Sequence, residues 1–435
     1  MKTVLSMMII VMVISIWIWS KFSEDKTISA YKEPSLIEMT NSILNKQDPH
    51  THRSIKGIRG EIEALSHAFH NYDLDEPAHK TDGWSNFTDA EWPFMAMAYS
   101  GFAFCTLPRV YPELYDRCRE EVLWILDSVK RPAISGFVED HFGSPFPASG
   151  QPREYGVFVH GHIFYLNMLA RKYLKIYSND AWLHETAKGF IRDYEEQIIR
   201  PSYKAMHYLS DNGSALAALA CYDQEFGLQM SIKVREKFVS ECKRYYLQAK
   251  TGLICTYVNP KMHQQHSGPR GTGVMYLGQF LPEIDPVFAK EQWQAAHLWM
   301  IRGLDQWSLK YLEIGPSWLT PMAQMIPHHF ICVEHPDDPD VPFESRQWGD
   351  TDSGPVVLGV GTSASAFLIS AAVQNGDLKT AQSALALAEK MAGYEWMGNR
   401  KVARHLFHEV GQAVLLWGRS LVMVDESLLG AQDEQ

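Results

Sequence analysis

Hydrophobic residues recur at helical spacing from residue 58 almost to the end of the chain. Apolar positions at i, i+3 and i+4 predict helices with one buried face. Asp180 and Asp211 stand where helix N-caps belong, and Pro286 stands in a first turn. Strand-like alternation is scarce, with 253–258 as its main example. The pattern predicts helices near 58–70, 93–106, 112–130, 157–177, 180–198, 211–226, 230–248, 270–281, 286–311, 355–375, 378–392 and 403–423.

These predicted helices are joined alternately by short turns and by long polar loops. The layout predicts an all-α fold, an (α/α)6 toroid of helix hairpins with an inner and an outer ring. The long loops would then meet at one end of the toroid. A stacked helical repeat would give a similar pattern, but the sequence shows no repeat of fixed period, which favours the closed ring. We expect one ring domain over 57–430, after a spacer at 27–56.

The N-terminus carries an apolar run from Val4 to Trp19. Its length is near the lower limit for a membrane span, and no small-residue cleavage site follows it. Trp17 and Trp19 lie where aromatic residues anchor a span at the membrane surface. We therefore predict an uncleaved signal anchor over 1–26, which makes a single-pass membrane protein with its globular domain outside the cytoplasm.

Composition limits the classes of partner. The net charge of −11 and the lack of a Lys/Arg cluster argue against nucleic acid. None of the six cysteines forms a C-x-x-C pair, so no zinc site is predicted. Aromatic residues make up 12% of the chain, and many lie in predicted loops, where they suit the walls of a small-molecule or sugar cleft. We expect a small-molecule substrate. The sequence does not fix the oligomeric state and is compatible with a homo-oligomer.

Two polar stretches carry carboxylates that can do acid/base chemistry. The stretch GFVEDH contains the adjacent Glu139 and Asp140. Neighbouring carboxylates in different environments can act as an acid and a base. The stretch RQWGDTDSGP contains Asp350 and Asp352, directly before an apolar segment. The stretch with Glu139 and Asp140 can equally be a solvated acidic loop.

A histidine pair follows the first acidic stretch, at the start of a predicted helix: His160-Gly161-His162. Alternate positions diverge on a helix, so the two rings should not share a metal. A histidine next to a polar loop is a candidate general base, although a lone interior histidine is more often a core residue. If the loops meet, the catalytic candidates His162, Glu139, Asp140, Asp350 and Asp352 should line one cavity. Arg270 or Arg346 should lie nearby and offset the acidic charge. The candidate substrate-binding residues of this cavity are Tyr155, Tyr208, Asp211, Tyr257, Arg270 and Trp348.

The order of these motifs resembles that of a known family. An acidic G-x-x-E-E/D-x-F-G loop matches 136–143, and a G-H-[IL] helix motif matches 161–163. An Asp-Asn helix start matches 211–212, and a Tyr-Asp near the end of that helix matches 222–223. A late D-x-D/G-G segment matches 350–361. In the order of these motifs, the chain resembles the linalool dehydratase/isomerase family over roughly residues 95–390.

The resemblance implies a ring-shaped catalytic domain with its pocket at the loop end. It also implies protonation chemistry on a terpenoid-like alcohol without a metal or an organic cofactor, and it places His162 at the family's active-site histidine. The family's cysteines beside the Asp-Asn segment are missing here, where His207, Tyr208, Ser210 and Ser214 stand instead.

The leading interpretation is therefore a membrane-anchored lyase or isomerase that acts by acid/base chemistry. One alternative is a carbohydrate-active hydrolase, lyase or epimerase that uses Glu139 or Asp140 with Asp350 or Asp352, since sugar chemistry also needs paired carboxylates. Another alternative is a non-catalytic envelope protein that binds a partner.

Overall fold

The structure, a computed structural model, is mostly helical. It describes residues 53–72, 74, 91–137, 156–203, 206–307, 328–349, 354, 356–357, 359–392 and 409–433. The predicted anchor at 1–26 lies outside these residues. Among the helices that are described, none is both long enough and apolar enough to cross a membrane.

The helices follow the chain as alternating inner and outer elements, with two short helical turns between them. They are α1 (Ile55–His70), α2 (Glu91–Thr106), α3 (Tyr115–Ser128), α4 (Pro132–Ser135), α5 (Val157–Leu174), α6 (Asp180–Glu196), α7 (Asn212–Phe226), α8 (Ile232–Glu241), α9 (Gly271–Gly278), α10 (Leu281–Ile284), α11 (Pro286–Trp299), α12 (Thr362–Gln374), α13 (Leu378–Ala392) and α14 (Glu409–Asp433).

Within the described part of the chain, six helices close into a ring. Helix α2 contacts α5, α5 contacts α7, α7 contacts α9, α9 contacts α12, α12 contacts α14, and α14 returns to α2. The inner helices are apolar on nearly all sides; in α2, every residue after Trp92 is buried. A helix without a polar face must be surrounded by protein. Helices α3, α6, α8, α11, α13 and α1 lie outside the ring, and the α/α toroid expected from the sequence is confirmed.

The inner helices all begin at the same end of the ring, which we call the mouth. Near the start of α2, the Phe94 ring lies 5.7 Å from that of Phe158 at the start of α5. At the opposite end, which we call the base, Thr106, Tyr173 and Val373 from the ends of three inner helices line one cavity. This common direction follows from the hairpins, because each outer helix carries the chain back to the mouth.

Short strands connect the helices at the mouth. The described pairs are all antiparallel, and Tyr257–Asn259 lies between His207–Tyr208 and Gln264–Gln265. The strands are β1 (His207–Tyr208), β2 (Tyr257–Asn259), β3 (Gln264–Gln265), β4 (Ile301–Gly303) paired with β5 (Phe330–Cys332), and β6 (Val356–Val357) paired with β7 (Val360–Gly361).

Helices α5 and α7 approach closely at Gly161. A Cβ atom built there would lie 2.5 Å from Ser214 Oγ and 2.9 Å from the Ala215 backbone nitrogen. Because the second contact is with backbone, it can be relieved only if the two inner helices move apart. Glycine is therefore required by the packing of the ring.

We expect Gly161→Ala to lower the free energy of unfolding by about 2 kcal/mol, because overpacking strains a close helix contact. Gly60→Ala is the matched control, since a Cβ atom at that helical position meets no heavy atom within 4 Å. This control should raise stability by about 0.5–1 kcal/mol through the better helix propensity of alanine. Urea unfolding measures both variants, and equal stability of Gly161→Ala and the unmutated protein would contradict the close contact.

Candidate active site

The mouth places carboxylates at the starts of inner helices. Glu91 is the first residue of α2, and Asp211 directly precedes α7. The N-terminus of a helix carries partial positive charge, which stabilises a carboxylate. Asp211 makes no capping hydrogen bond with its side chain, so the capping role favoured from sequence is not its role in the structure. Asn212 instead connects the start of α7 to the preceding segment, since its Oδ1 accepts a hydrogen bond from the Arg200 backbone N–H at 2.9 Å.

Asp211 is 9% exposed at the start of α7. Its negative charge adds to burial in raising the pKa of Tyr99, which points inward from α2. The Ser210 hydroxyl donates to Asp211 Oδ1 at 3.4 Å. Asp211 is therefore a carboxylate held at the inner edge of the mouth.

A row of aromatic side chains crosses the mouth beside these carboxylates. The register of β1 and β2 sets Tyr208 directly opposite Tyr257, with their rings 5.3 Å apart. The Tyr203 ring lies 6.5 Å from Tyr208 on one side, and the His266 ring stacks on Tyr257 at 5.1 Å on the other. The Tyr203 hydroxyl donates to Glu91 Oε1 at 2.5 Å. These tyrosines are half-buried, so part of each residue is open to solvent.

A second aromatic surface lies at the start of α9. The Trp348 side chain is 56% exposed, and the Arg270 guanidinium lies over its ring at 5.4 Å from the centroid. Arg270 is itself fixed, because its Nε donates to the buried Glu334 at 3.0 Å. The His335 ring lies 4.6 Å from Trp348, and burial lowers its pKa. Trp348 is thus an exposed platform that a charged group holds in place.

His162 lies one helical turn inside the mouth and is fully buried. Its Nδ1 lies 2.7 Å from the carbonyl oxygen of Phe158, and its Nε2 lies 2.7 Å from the Tyr276 hydroxyl. Burial lowers the pKa of His162 to about 4. The neutral ring therefore donates from Nδ1 to the carbonyl and accepts from Tyr276 at Nε2. Six aromatic rings surround it, from Phe94, Tyr99, Phe102, Phe158, Tyr276 and Phe280.

We expect stability to fall as the pH drops from about 6.5 to 4. The pKa of His162 is lowered from 6.5 to about 4 in the folded protein, so in this window the unfolded chain binds more protons. Once the pH is below both pKa values, His162 lowers the free energy of unfolding by about 3 kcal/mol. The fully buried His160, with a pKa of about 3, acts in the same direction. Urea unfolding at pH 7 and pH 4.5 measures the loss.

His162→Gln should show a smaller loss over the same pH range, because one of the two buried titrating rings is gone. The exposed His67 supplies the control, and His67→Gln should keep the full pH dependence. An equal pH dependence in His162→Gln and the unmutated protein would contradict a neutral, buried His162.

Five of the residues predicted for the site lie outside the described residues: Glu139, Asp140, Tyr155, Asp350 and Asp352. The described residues beside them do meet the mouth. The Phe137 ring lies 6.2 Å from that of Phe94. Gly354 lies against the start of α12, where an added Cβ atom would be 2.6 Å from Thr362 Oγ1. Described residues that flank the two acidic stretches therefore lie at this end of the ring.

Of the other predicted residues, the structure brings Tyr208 beside Tyr257 and Arg270 beside Trp348. Sequence reasoning missed Glu91 and Tyr203. Glu91 carried a usable signal, because it opens an apolar helix after a polar stretch, as Asp211 does. Tyr203 carried none, since its place depends on the path of the chain between α6 and α7. Among the described residues, no group of three His, Cys, Asp or Glu side chains is arranged to hold a metal ion.

No protein-family model matches the chain, and no curated protein matches it. Among solved structures, it is similar to a family 76 glycoside hydrolase from a bovine strain of Bacteroides thetaiotaomicron, with 9% identity and a TM-score of 0.47 over 84% of this chain and 78% of the other. It is also similar to a family 76 mannosidase from Bacteroides thetaiotaomicron, with 10% identity and a TM-score of 0.46 over 86% and 99%.

The resemblance to the linalool dehydratase/isomerase family is wrong, and with it the prediction of a lyase or isomerase. No family model supports it, and the two similar solved structures named above are glycoside hydrolases. Two of the motifs that suggested it have structural reasons in this ring. Gly161 is required by the contact between α5 and α7, and Asn212 ties down the start of α7. Such short motifs reflect how an inner helix begins and packs.

Proposed function

We propose that this protein is a carbohydrate-active hydrolase whose substrate binds at the mouth of the ring. The observation that carries the proposal is the row of half-buried tyrosines, Tyr203, Tyr208 and Tyr257, beside the carboxylates Glu91 and Asp211. A sugar ring has an apolar face that stacks on aromatic rings and hydroxyl edges that bind carboxylates. A cleft with aromatic walls and a few placed polar groups suits such a ligand. The Trp348 platform adds a further stacking surface.

Glycoside hydrolysis generally uses two carboxyl groups, one as the acid and one as the base or nucleophile. We assign these roles to one residue of the Glu139/Asp140 pair and one of the Asp350/Asp352 pair. Connectivity supports the assignment. Glu139 is two residues after Phe137, so their Cα atoms are at most about 8 Å apart. Asp350 directly follows Gly349, so their Cα atoms are about 4 Å apart.

The described mouth residues take supporting roles in this proposal. Tyr208 and Tyr257 stack on the sugar, and Asp211 accepts hydrogen bonds from its hydroxyl groups. Arg270 holds Trp348 and offsets part of the acidic charge. His162 acts as an orienting residue through Tyr276, because burial keeps its ring neutral at ordinary pH. The two-carboxylate reaction requires no cofactor.

The experiment is a hydrolysis assay of the purified protein against a panel of polysaccharides and oligosaccharides that contain mannose, glucose or galactose. Release of reducing ends from at least one substrate is expected. Tyr257→Ala should lower kcat/KM at least tenfold by removing a stacking surface. Tyr177→Ala is the matched control, because Tyr177 is 52% exposed and lies past the C-terminal end of α5.

Folded protein that hydrolyses none of these substrates would overturn the proposal. Binding of a glycan without turnover would instead favour a non-catalytic binding protein. If Tyr257→Ala and Tyr177→Ala are equally active on a cleaved substrate, the substrate does not bind at the tyrosine row, and the assignment of the mouth fails.

We also propose that residues 1–26 anchor the protein in a membrane, from the apolar run that ends at Trp17 and Trp19. The full chain should fractionate with membranes, and a variant without residues 1–26 should be released as a soluble domain. Unprocessed full-length protein in the soluble fraction would contradict the anchor.

A further inference from the structure

Two side-chain contacts hold together the ends of the loop 335–348, which follows β5. His335 Nε2 donates to the carbonyl oxygen of Trp348 at 2.9 Å, and Arg346 Nη1 donates to Asp337 Oδ1 at 3.0 Å. Residues 335 and 337 thereby face residues 348 and 346, so the two ends of the loop lie side by side. We call these two contacts the neck of the loop.

The neck is attached to the end of α11. Asp337 Oδ2 accepts from Arg302 Nε at 3.1 Å, and the Asp337 backbone N–H donates to the Trp299 carbonyl oxygen at 2.7 Å. Arg302 also donates to the carbonyl oxygens of His297 and Leu298, at 3.1 Å and 2.8 Å. Such a side chain satisfies the last carbonyl groups of a helix, which fixes Arg302 at the end of α11. Asp337 therefore connects the neck to a helix end.

The ion pair at the neck is shielded from solvent. The Arg346 side chain is 8% exposed and the Asp337 side chain is 11% exposed. The same loop contains an exposed pair for comparison, because Lys250 contacts Asp340, whose side chain is 82% exposed. An exposed pair contributes little to stability, whereas loss of one partner from a shielded pair leaves the other charge uncompensated. We therefore expect the neck to depend on Asp337 and not on Asp340.

The neck holds Trp348 in an exposed position at the mouth. The Arg270 guanidinium and the His335 ring contact the indole, and His335 also binds the Trp348 backbone. Even with these contacts, 56% of the residue is exposed. An indole is a large apolar group that gains stability by burial, so a ligand can gain by covering it. Holding the side chain in place beforehand lowers the entropy lost when a ligand binds.

We propose that Asp337 and His335 are positioning residues that hold Trp348 ready to contact the substrate at the mouth. This role rests on the proposed function, in which a sugar binds there, and it adds the residues that set substrate affinity. Neither residue takes part in bond breaking. Their loss should therefore raise KM and leave kcat nearly unchanged.

Limited proteolysis of the full chain tests the neck without any substrate. Trypsin cleaves after arginine, and the shielded Arg346 must leave the neck before it is cut. Asp337→Asn should speed cleavage after Arg346 by about tenfold, because the local opening becomes easier. Asp340→Asn is the matched control in the same loop and should be cut there at the rate of the unmutated protein. Mass spectrometry identifies the fragment, and equal rates in the two variants would overturn the holding role of Asp337.

Substrate affinity is measured by calorimetry with linear tetrasaccharides of mannose, glucose and galactose, and KM and kcat are measured with those that are cleaved. Trp348→Ala should weaken binding by about tenfold through the lost contact. Asp337→Asn and His335→Phe should each raise Kd and KM by about fivefold to tenfold, because Trp348 must then be ordered on binding. Their kcat should stay within about twofold of the unmutated value. Asp340→Asn should change none of these quantities.

A double variant separates positioning from a general structural effect. If Asp337 acts through Trp348, then adding Asp337→Asn to Trp348→Ala should weaken binding no further. An equal loss of affinity on both backgrounds would show that Asp337 acts elsewhere and would overturn the proposal. Thermal melting must first show that each variant is folded. His335→Phe removes a single hydrogen bond from the neck and keeps the test valid if Asp337→Asn does not fold.

The remaining outcomes distinguish this proposal from the catalytic one. Tetrasaccharides that bind Trp348→Ala as tightly as the unmutated protein would overturn the role of Trp348. Binding that depends on Trp348 and Asp337, without hydrolysis of any tetrasaccharide, would support the positioning role while the hydrolase proposal fails. Hydrolysis with the same KM in Asp337→Asn and Asp340→Asn would leave the hydrolase proposal intact and overturn the positioning role. An unmutated protein that binds none of the tetrasaccharides would overturn it as well.

Discussion

Arg419→Met is expected to lower the free energy of unfolding by about 3–5 kcal/mol, because it leaves a buried carboxylate without its charge partner. Arg419 lies on α14 and is 3% exposed. Its Nε donates to Glu389 Oε1 at 2.9 Å, and its Nη1 donates to Glu61 Oε1 at 2.6 Å. Glu389 is also 3% exposed, and its remaining ion-pair contact, with Arg53, is longer at 3.9 Å. Urea unfolding measures the loss.

Two further variants control this experiment. Arg131→Met breaks an exposed pair with Asp127, and it should cost less than about 1 kcal/mol. Arg419→Met combined with Glu389→Leu removes both buried charges and should recover much of the lost stability. A single Arg419→Met variant as stable as Arg131→Met would show that the buried pair contributes little.

This cluster matters because it joins the first and the last described helices. Glu61 lies on α1, the first described helix, and Arg419 lies on α14, the last, with Glu389 of α13 between them. The two ends of the domain are thereby joined by charge as well as by the apolar contact of α14 with α2. No local sequence pattern predicts the interaction of Arg419 with Glu61, which are 358 positions apart.

The helices were predictable because an apolar period of 3.6 is a local property of the sequence. Two errors in the predicted helix bounds come from strand pairing, which helical periodicity does not show. A helix was expected over 286–311, but α11 ends at Trp299 because Ile301–Gly303 pairs with Phe330–Cys332 as a strand. Another was expected from residue 355, but α12 begins at Thr362 because a two-stranded hairpin precedes it. Local periodicity cannot show such partners.

The mouth was predictable only in part for the same reason. Long polar loops before apolar helices marked Tyr208, Asp211 and Tyr257 as candidate site residues. The pairing of Tyr208 with Tyr257 needs the register of β1 and β2. Aromatic rings surround His162, so His162→Ala should destabilise the fold by leaving a cavity.

The largest effect on activity is expected from the carboxyl groups. Glu139→Gln, Asp140→Asn, Asp350→Asn and Asp352→Asn keep the shape of each side chain and remove its charge. One variant from each pair should lower kcat by about 10²–10⁴, the usual contribution of a positioned acid or base. Asp127→Asn is the control, because the Asp127 side chain is 70% exposed on α3.

The two affected variants should differ in how their rates depend on pH. A general acid must keep its proton at the working pH, so its pKa is raised, whereas the base or nucleophile stays ionised. Loss of the acid should therefore abolish the fall in kcat/KM at high pH, and loss of the base should abolish the fall at low pH. Azide should restore turnover only where it can replace a carboxylate lost as nucleophile or base. Full activity in all four variants would remove both pairs from the mechanism and leave Asp211 and Glu91 as the carboxylates of the mouth to test.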